Sequence, residues 1–163
     1  LTQTDNHDGF LDLLRAAFLE AGVVFVILPN LKGSKTNGAT KRVNGRVMLM
    51  VNDRRMSADT FWFTLFHEIG HILAGEFGVS IDGDEGASED AADEYARDAL
   101  IDRDAYAEFV SKNRFSKDAI VQFAQSIGRD AGIVLGRLQN DGHVRYDDAS
   151  LASLRTKYRV SVS

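Results

Sequence analysis

Residues 64–73 read TLFHEIGHIL, and this stretch decides how the rest of the chain is interpreted. Residues four apart lie on one face of an α-helix, so His67 and His71 can direct two imidazole nitrogens at one point, where a zinc ion would bind. Glu68 lies beside that point, and its carboxylate can hold a water molecule without binding the metal itself. The stretch predicts a helix with two metal ligands and a general base; the alternative is a buried helix whose histidines bond to backbone or carboxylate groups.

The residues around this motif favour a buried helix over a loop. Apolar side chains recur at helical spacing on both sides of the histidines: Phe61, Leu65, Ile69, Ile72 and Leu73. Gly70 is unexpected inside a helix, where glycine costs about 1 kcal/mol relative to alanine. We therefore expect another backbone to approach the helix closely at Gly70.

The composition predicts one domain whose main task is not binding nucleic acid. The chain has 163 residues, a single proline and 26% charged residues, which gives no sign of a long linker. Its net charge of −5, from 19 basic and 24 acidic residues, disfavours a surface built to bind phosphate backbones. Residues 1–9 are polar and aperiodic, so we expect a disordered lead-in or linker there and a single domain over residues 10–163.

The absence of cysteine limits the metal chemistry. With no thiolate available, any bound metal must use histidine and carboxylate ligands. No apolar run reaches the roughly 18 residues that a membrane span needs, and no charged-then-apolar leader opens the chain. We therefore expect a cytoplasmic protein with no membrane partner.

Local patterns before the motif predict a small sheet preceded by one helix. Apolar residues at helical spacing over 10–21 predict an amphipathic helix, and the β-branched run 23–28 predicts a buried strand. The dipeptide Asn44-Gly45 is a strong hairpin signal between strands at 38–43 and 46–51. Two antiparallel strands are therefore expected directly before the motif helix.

The elements that flank and follow the motif are predicted from caps and periodicity. Ser57 or Asp59 is expected to cap the motif helix, Gly75 to end it, and Ser88 to cap a second helix that runs from 89 to about 101. Two loops are expected near the site, at 30–38 and 79–87. A helical C-terminal part is expected from about residue 103, with helices at 116–128, 131–138 and within 148–158.

A catalytic zinc site needs a third protein ligand. The metzincin solution would require glycine at position 74 and histidine at position 77, and the chain has Ala74 and Phe77 there. A carboxylate from the next helix is the other common solution, and Glu89 follows His71 by 18 residues, enough for a loop and a reversal. Glu89 is therefore the expected third ligand.

Asp93 lies four residues after Glu89 and hence on the same helix face. It is expected to accept a hydrogen bond from the distal nitrogen of a histidine ligand and so fix its tautomer. Asp93 is also the main alternative for the third ligand, followed by Glu76 and Glu85. The acidic stretch around these residues is equally compatible with a solvated surface.

The chain resembles the ImmA/IrrE family of zinc metallopeptidases over roughly residues 38–142. The resemblance rests on Asp59-x-Phe-Trp-Phe-Thr-Leu-Phe66, on the motif itself and on Glu89-x-x-Ala-Asp-x-Tyr-Ala-x-x-Ala-Leu-Ile101. Asp93 and Tyr95 replace the asparagine and phenylalanine typical of the family, and Asp102 stands where proline is common. Residues 132–142 are similar to the downstream region of members fused to an N-terminal helix-turn-helix regulator.

This resemblance implies an α+β, zincin-like fold, in which a small antiparallel or mixed sheet packs on the motif helix and a mostly helical part follows. It also implies a zinc endopeptidase that cleaves an intracellular protein, often a transcriptional repressor or antitoxin-like regulator. The full-length protein could then carry an N-terminal helix-turn-helix domain. The alternative function is a non-proteolytic metal-binding sensor of a transcriptional regulator, and Mn²⁺ or Fe²⁺ also suits a site of two histidines and one carboxylate.

Three features of the later chain have both a functional and a structural interpretation. Tyr95 and His143 are candidates to stabilise the oxyanion of a tetrahedral intermediate, although Tyr95 also suits the core and His143 an exposed loop. The helices at 116–128 and 131–138 imitate a helix-turn-helix, but the second is mostly apolar and lacks base-reading side chains. We expect that helix to pack in the core, and direct DNA binding by this domain is disfavoured.

Overall fold

A computed structural model of the chain describes residue 2 and residues 9–28, 36–52, 57–81 and 86–158. Within these ranges the chain forms six α-helices, four strands and a short 3-10 helix at Ala152–Leu154. The strands are β1 (Val23–Leu28), β2 (Thr36–Val43), β3 (Arg46–Asn52) and β4 (Val79–Ile81). The helices are α1 (Phe10–Glu20), α2 (Ala58–Ala74), α3 (Ala87–Leu100), α4 (Arg103–Ser111), α5 (Lys117–Ser126) and α6 (Ala131–Asn140).

The four strands form one mixed sheet in the order β1-β3-β2-β4. β1 pairs with β3 in parallel, and β2 pairs antiparallel with both β3 and β4. The predicted hairpin is confirmed: Asn44 (φ 49°) and Gly45 (φ 79°) both have the positive φ of a type I′ turn, which matches the twist of the flanking strands. The sheet and the helices together give the predicted α+β class.

Three details of the sheet correct the sequence-based expectations. β1 was expected to be a buried strand, but only Phe25 of its six residues is buried, and β1 lies at the edge of the described sheet with β3 as its partner. β2 already begins at Thr36, inside the predicted loop 30–38, and β4 lies inside the predicted loop 79–87. β4 is short and forms because β2 has a free edge with which it can pair. This pairing joins segments far apart in the chain, so no local sequence pattern predicts it.

Aromatic side chains join α1, α2 and the C-terminal segment into one core. The Phe10 ring is fully buried, with its centroid 4.6 Å from that of Tyr158 and 5.7 Å from that of Phe61. Nε1 of Trp62 donates a hydrogen bond of 2.7 Å to the Tyr158 hydroxyl. This cluster anchors the first half of α2, and therefore the helix that carries the motif.

We expect Phe10→Ala to lower the free energy of unfolding by about 3–5 kcal/mol, because it leaves a cavity among three aromatic rings. Urea denaturation followed by circular dichroism measures the change. Leu13→Ala on the same helix is the control, since Leu13 is 60% exposed and its truncation should change stability by less than about 0.5 kcal/mol. Equal losses in the two variants would contradict the central role of Phe10.

The C-terminal part is helical as expected, with one exception. Asp102, where the family resemblance leads one to expect proline, caps α4 by accepting a hydrogen bond of 2.9 Å from the Ala105 amide. Ser116 caps α5 in the same way, by accepting a hydrogen bond from the Ala119 amide. No α-helix forms within 148–158 in the described chain: a 3-10 turn is followed by extended residues, and Lys157 pairs with Ser57. The Thr156 carbonyl accepts a hydrogen bond of 2.8 Å from the Ala58 amide. This segment therefore provides an acceptor for a backbone amide at the start of α2 and does not form an α-helix of its own.

α6 packs in the core, as predicted. Its buried residues include Ile133, Val134, Leu135 and Leu138, and the helix lies against α2. A helix buried in this way cannot enter a DNA groove.

Two further expectations concern the chain's beginning and the membrane. Residues 1 and 3–8 of the predicted lead-in lie outside the described residues, and the Thr2 carbonyl accepts a hydrogen bond of 3.0 Å from the Asp130 amide. No described helix has the length and apolar character needed to cross a membrane.

Candidate metal centre

Two helices bring the three expected metal ligands together. α2 carries His67 and His71, and the first turn of α3 carries Glu89. The two histidine Nε2 atoms lie 3.0 Å apart, and the Glu89 carboxylate oxygens lie 3.1 Å from Nε2 of His67 and 3.3 Å from Nε2 of His71. Within the described ranges, these three residues are the group that could hold a metal ion.

The spacing of the donor atoms suits a tetrahedral ion. Zinc binds these atom types at about 2.0–2.2 Å, which places two ligands of a tetrahedron roughly 3.3–3.6 Å apart. The observed separations of 3.0, 3.1 and 3.3 Å are close to that range. Three protein ligands leave the fourth position of a tetrahedron to water or substrate.

Carboxylates on the far side of each imidazole determine which nitrogen would face a bound ion. Asp93 Oδ1 lies 2.8 Å from Nδ1 of His67, and Glu76 Oε2 lies 3.2 Å from Nδ1 of His71. Each carboxylate accepts a hydrogen bond from Nδ1–H, so the lone pair of a neutral ring is on Nε2. Two lone pairs 3.0 Å apart repel each other unless a cation or proton lies between them, and the donor set therefore fits a metal ion.

The surrounding charges also favour a cation. Burial lowers the pKa of His67, but the hydrogen bond to Asp93 and the negative charges of Asp93, Glu68 and Glu89 outweigh it and raise that pKa above its usual range. Positive charge is therefore stabilised at the point between the histidines.

Glu68, the expected general base, is fully buried next to this group. Gly38 of β2 packs directly against its carboxylate, so a Cβ at position 38 would overlap the Glu68 side chain. The sheet thus holds the carboxylate from the side opposite its own helix. Sequence reasoning did not identify Gly38, because the contact joins residues 30 positions apart.

The expected close approach at Gly70 is confirmed. A Cβ there would lie 3.1 Å from Cα of Ala92 and 3.3 Å from the Tyr95 ring. Gly70 therefore allows α3 to pack near enough for Glu89 to reach both histidines. This interface of α2 and α3 is the frame of the metal centre.

A known family model also covers the elements that form this site. The family model described as Peptidase_M78, IrrE N-terminal-like domain, matches residues 20–125, which is well over half of the chain and contains the whole sheet, α2 and α3. The chain belongs to the Peptidase_M78 family. This confirms the resemblance recognised in the sequence and the zincin-like α+β fold, and it places the chain in a family of metallopeptidases. No curated protein matched the chain.

The remaining predicted site residues of this Peptidase_M78 domain are Tyr95 and His143, the expected oxyanion stabilisers, and Glu85. Tyr95 packs over Gly70 and is 36% exposed, and the His143 ring is tilted against Phe115 with ring centroids 5.6 Å apart. His143 does not belong to the group formed by His67, His71 and Glu89, and Tyr95 faces α2 at Gly70. Glu85, the last alternative for the third ligand, lies outside the described residues.

Glu76 has a role that sequence reasoning missed, since it was considered only as an alternative ligand. Gly75 ends α2 in the left-handed conformation (φ 75°), and the Glu76 amide then bonds to the His71 carbonyl at 2.9 Å. This turn places the Glu76 carboxylate within hydrogen-bond distance of Nδ1 of His71. The sequence feature that could have indicated this role is the Gly75-Glu76 pair, directly after the helical turn that contains His71.

Ser88 corrects a second expectation. The cap of α3 is Gly86, and the helix begins at Ala87. The Ser88 hydroxyl donates to the Glu76 carboxylate instead of capping the helix. Hydrogen bonds from Ser88 and then His71 lower the pKa of Glu76, which keeps it an acceptor.

We expect Asp93→Ala to weaken zinc binding by about 10-fold to 100-fold, because the tautomer and orientation of His67 are no longer held. Competition with a chelating dye measures the affinity. Asp93→Asn retains an acceptor oxygen and should lose less. Asp90→Ala, an exposed carboxylate on the same helix, should bind zinc like the parent chain, and an equal loss in Asp90→Ala would contradict a specific role of Asp93.

We expect Gly38→Ala to lower kcat for peptide hydrolysis by about 10-fold to 100-fold while zinc content stays at the parent level. The added methyl group displaces the Glu68 carboxylate, and misplacing a catalytic group by about 1 Å can cost that much. Gly78→Ala is the matched control, since a Cβ there meets no atom within 4 Å. Equal rates for the two variants would show that Glu68 does not depend on this contact.

Proposed function

We propose that this chain is a zinc-dependent endopeptidase whose metal ligands are His67, His71 and Glu89 and whose general base is Glu68. The observation that carries the proposal is the convergence of three donor atoms within 3.0–3.3 Å of one another beside a buried glutamate, in a domain of a metallopeptidase family. Asp93 and Glu76 orient the two imidazoles.

The proposed chemistry divides between the bound ion and Glu68. A zinc ion held by these residues would polarise the scissile carbonyl and lower the pKa of a water molecule. Glu68 accepts the proton of the attacking water and passes it to the leaving amine as the C–N bond breaks. Because Gly38 restrains its carboxylate, Glu68 needs little reorganisation between accepting and donating the proton.

The sheet supports a way to bind an extended peptide. Gly38 places β2 against the catalytic carboxylate, and β4 pairs with the outer side of β2. The far side of β4 has no strand partner in the described part of the sheet. A substrate segment could add there as a further strand through backbone hydrogen bonds. Affinity would then come from the main chain, and sequence specificity from pockets that bind the substrate side chains.

The proposed substrate is an intracellular protein, a transcriptional repressor or antitoxin-like regulator encoded beside this protein. The family resemblance supports this choice, and the buried α6 supports a role that does not require DNA binding by the domain itself. Incubation of the zinc-loaded protein with such a regulator, followed by mass spectrometry of the products, tests the proposal. We expect cleavage at a defined site that stops when a chelator is added; an intact regulator would favour the metal-sensor alternative.

A further inference from the structure

A cavity outside the metal centre, which we call the basic cleft, lies between α2, α3, α6 and the C-terminal segment. Its volume is about 710 Å³, within the range of about 300–1,000 Å³ typical of small-molecule sites. The polar side chains of its wall include Asp59 of α2, Arg97 of α3 and Arg137 of α6. His67, His71 and Glu89 are not among its lining residues, so the cleft is distinct from the metal centre.

Cations outnumber carboxylates in the lining of the cleft, although the chain has a net charge of −5. Its charged lining residues are Arg97, Arg137, Arg155, Lys157 and a single carboxylate, Asp59. Arg97 pairs with Asp93 at 3.2 Å and Arg137 with Asp141 at 2.6 Å. Arg155 donates to the neutral Gln139, and in the described part of the chain neither Arg155 nor Lys157 has a carboxylate within ion-pair distance. Two cations in the cleft are therefore not neutralised by a described carboxylate.

Two buried atoms of the wall lack hydrogen-bond partners among the described residues. They are Nε of Arg97, a donor, and Oδ1 of Asp59, an acceptor. Buried polar atoms of native proteins are nearly always paired, so the hydrogen-bonding capacity of these two side chains is not used up within the described part of the protein. Both side chains also line the cleft, where a phosphate oxygen suits the Arg97 guanidinium and a hydroxyl or amino group suits the Asp59 carboxylate.

The remaining wall suits an organic group. Leu100, Ile101 and Ile133 supply apolar surface, and Phe63 lies at the side nearest His67. Tyr146 is 66% exposed, with the Arg155 guanidinium 6.0 Å from its ring centroid. An aromatic or sugar-like part of a ligand could pack on this ring while its anionic group reaches the cations.

We propose that the basic cleft binds a small organic phosphate, with Arg97, Arg155 and Lys157 on the phosphate and Asp59 on a donor of the organic part. A phosphate fits better than a single carboxylate, because it carries more charge and offers more acceptor oxygens to cations from separate elements. The site requires no metal ion and does not depend on the proposed peptidase activity.

Isothermal titration calorimetry with inorganic phosphate, pyrophosphate, ADP and adenosine tests this proposal, on the protein with zinc and after zinc removal. We expect ADP to bind in both states, more tightly than inorganic phosphate, and adenosine to bind far more weakly. Arg155→Gln and Lys157→Gln should each weaken ADP binding about 10-fold, because each removes a charged donor. Lys117→Gln, the same change at an exposed residue at the start of α5, should leave it unchanged.

Three results would overturn the proposal. They are the absence of binding by all three phosphate probes at millimolar concentration, equal binding of adenosine and ADP, or a loss in Lys117→Gln as large as in Lys157→Gln. Since the zinc-free protein is measured as well, none of these results bears on whether the chain is a peptidase.

Discussion

The Glu68→Gln variant is expected to hydrolyse peptides about 10²-fold to 10⁴-fold more slowly than the parent chain, the range by which a positioned general base contributes to a rate. Glutamine has the same shape as glutamate but cannot accept the proton of the attacking water at neutral pH. Because His67, His71 and Glu89 are unchanged, zinc should be retained at the parent stoichiometry. The rate of cleavage of the regulator or of a fluorogenic peptide, with zinc measured in the same samples, provides the test.

The control for this variant is Glu108→Gln, the same chemical change at a residue whose side chain is 73% exposed on α4. It should hydrolyse peptides at the parent rate. Hydrolysis by Glu68→Gln at a comparable rate would eliminate the assignment of Glu68 as the general base. Loss of zinc from Glu68→Gln would show instead that this residue supports the metal centre.

The Glu89→Ala variant is expected to lose stoichiometric zinc on dialysis, with affinity reduced by more than about 100-fold. This exceeds the effect expected for Asp93→Ala, because a ligand itself is removed and not a residue that orients one. Two histidines alone leave two coordination positions without protein donors and leave the charge of the ion uncompensated. Inductively coupled plasma mass spectrometry of the dialysed protein measures the metal, and it also reports whether manganese or iron accompanies zinc.

Asp90→Ala is the matched control for Glu89→Ala, since it removes the neighbouring carboxylate on the exposed side of α3. It should keep its zinc. Normal zinc content in Glu89→Ala, together with zinc loss in Asp93→Ala, would make Asp93 the third ligand. The observed distances favour Glu89, because one of its oxygens lies 3.1 Å from Nε2 of His67 and the other 3.3 Å from Nε2 of His71, whereas Asp93 lies at Nδ1 of His67.

Predictions from sequence were most reliable where one helix or one turn determines the geometry. The positive φ values of Asn44 and Gly45 follow from the dipeptide itself, and the hairpin follows from the turn. His67 and His71 meet because they are one helical turn apart, as do Glu89 and Asp93 on α3. The absence of glycine and histidine at the two metzincin positions directed the search for a ligand to the following helix.

Predictions failed where a distant segment decided the outcome. Residues 148–158 have a helical pattern, yet Lys157 is extended because it pairs with Ser57. β4 exists because β2 has a free edge, and Ser88 leaves the cap position because its hydroxyl bonds to Glu76. In each case a tertiary hydrogen bond outweighed a weak local preference.

Helical periodicity and residue chemistry alone were therefore enough to predict the motif helix, two histidines directed at one point, and Glu89 as the first choice among several acidic residues for a third ligand. The contact of Gly38 with Glu68, the return of Glu76 to His71 and the gathering of cations around the basic cleft depend on packing between elements far apart in the chain. Local spacing determines which side chains share a helix face, because the backbone repeats at a fixed angle. Which faces meet is determined only when the sheet and helices pack against one another.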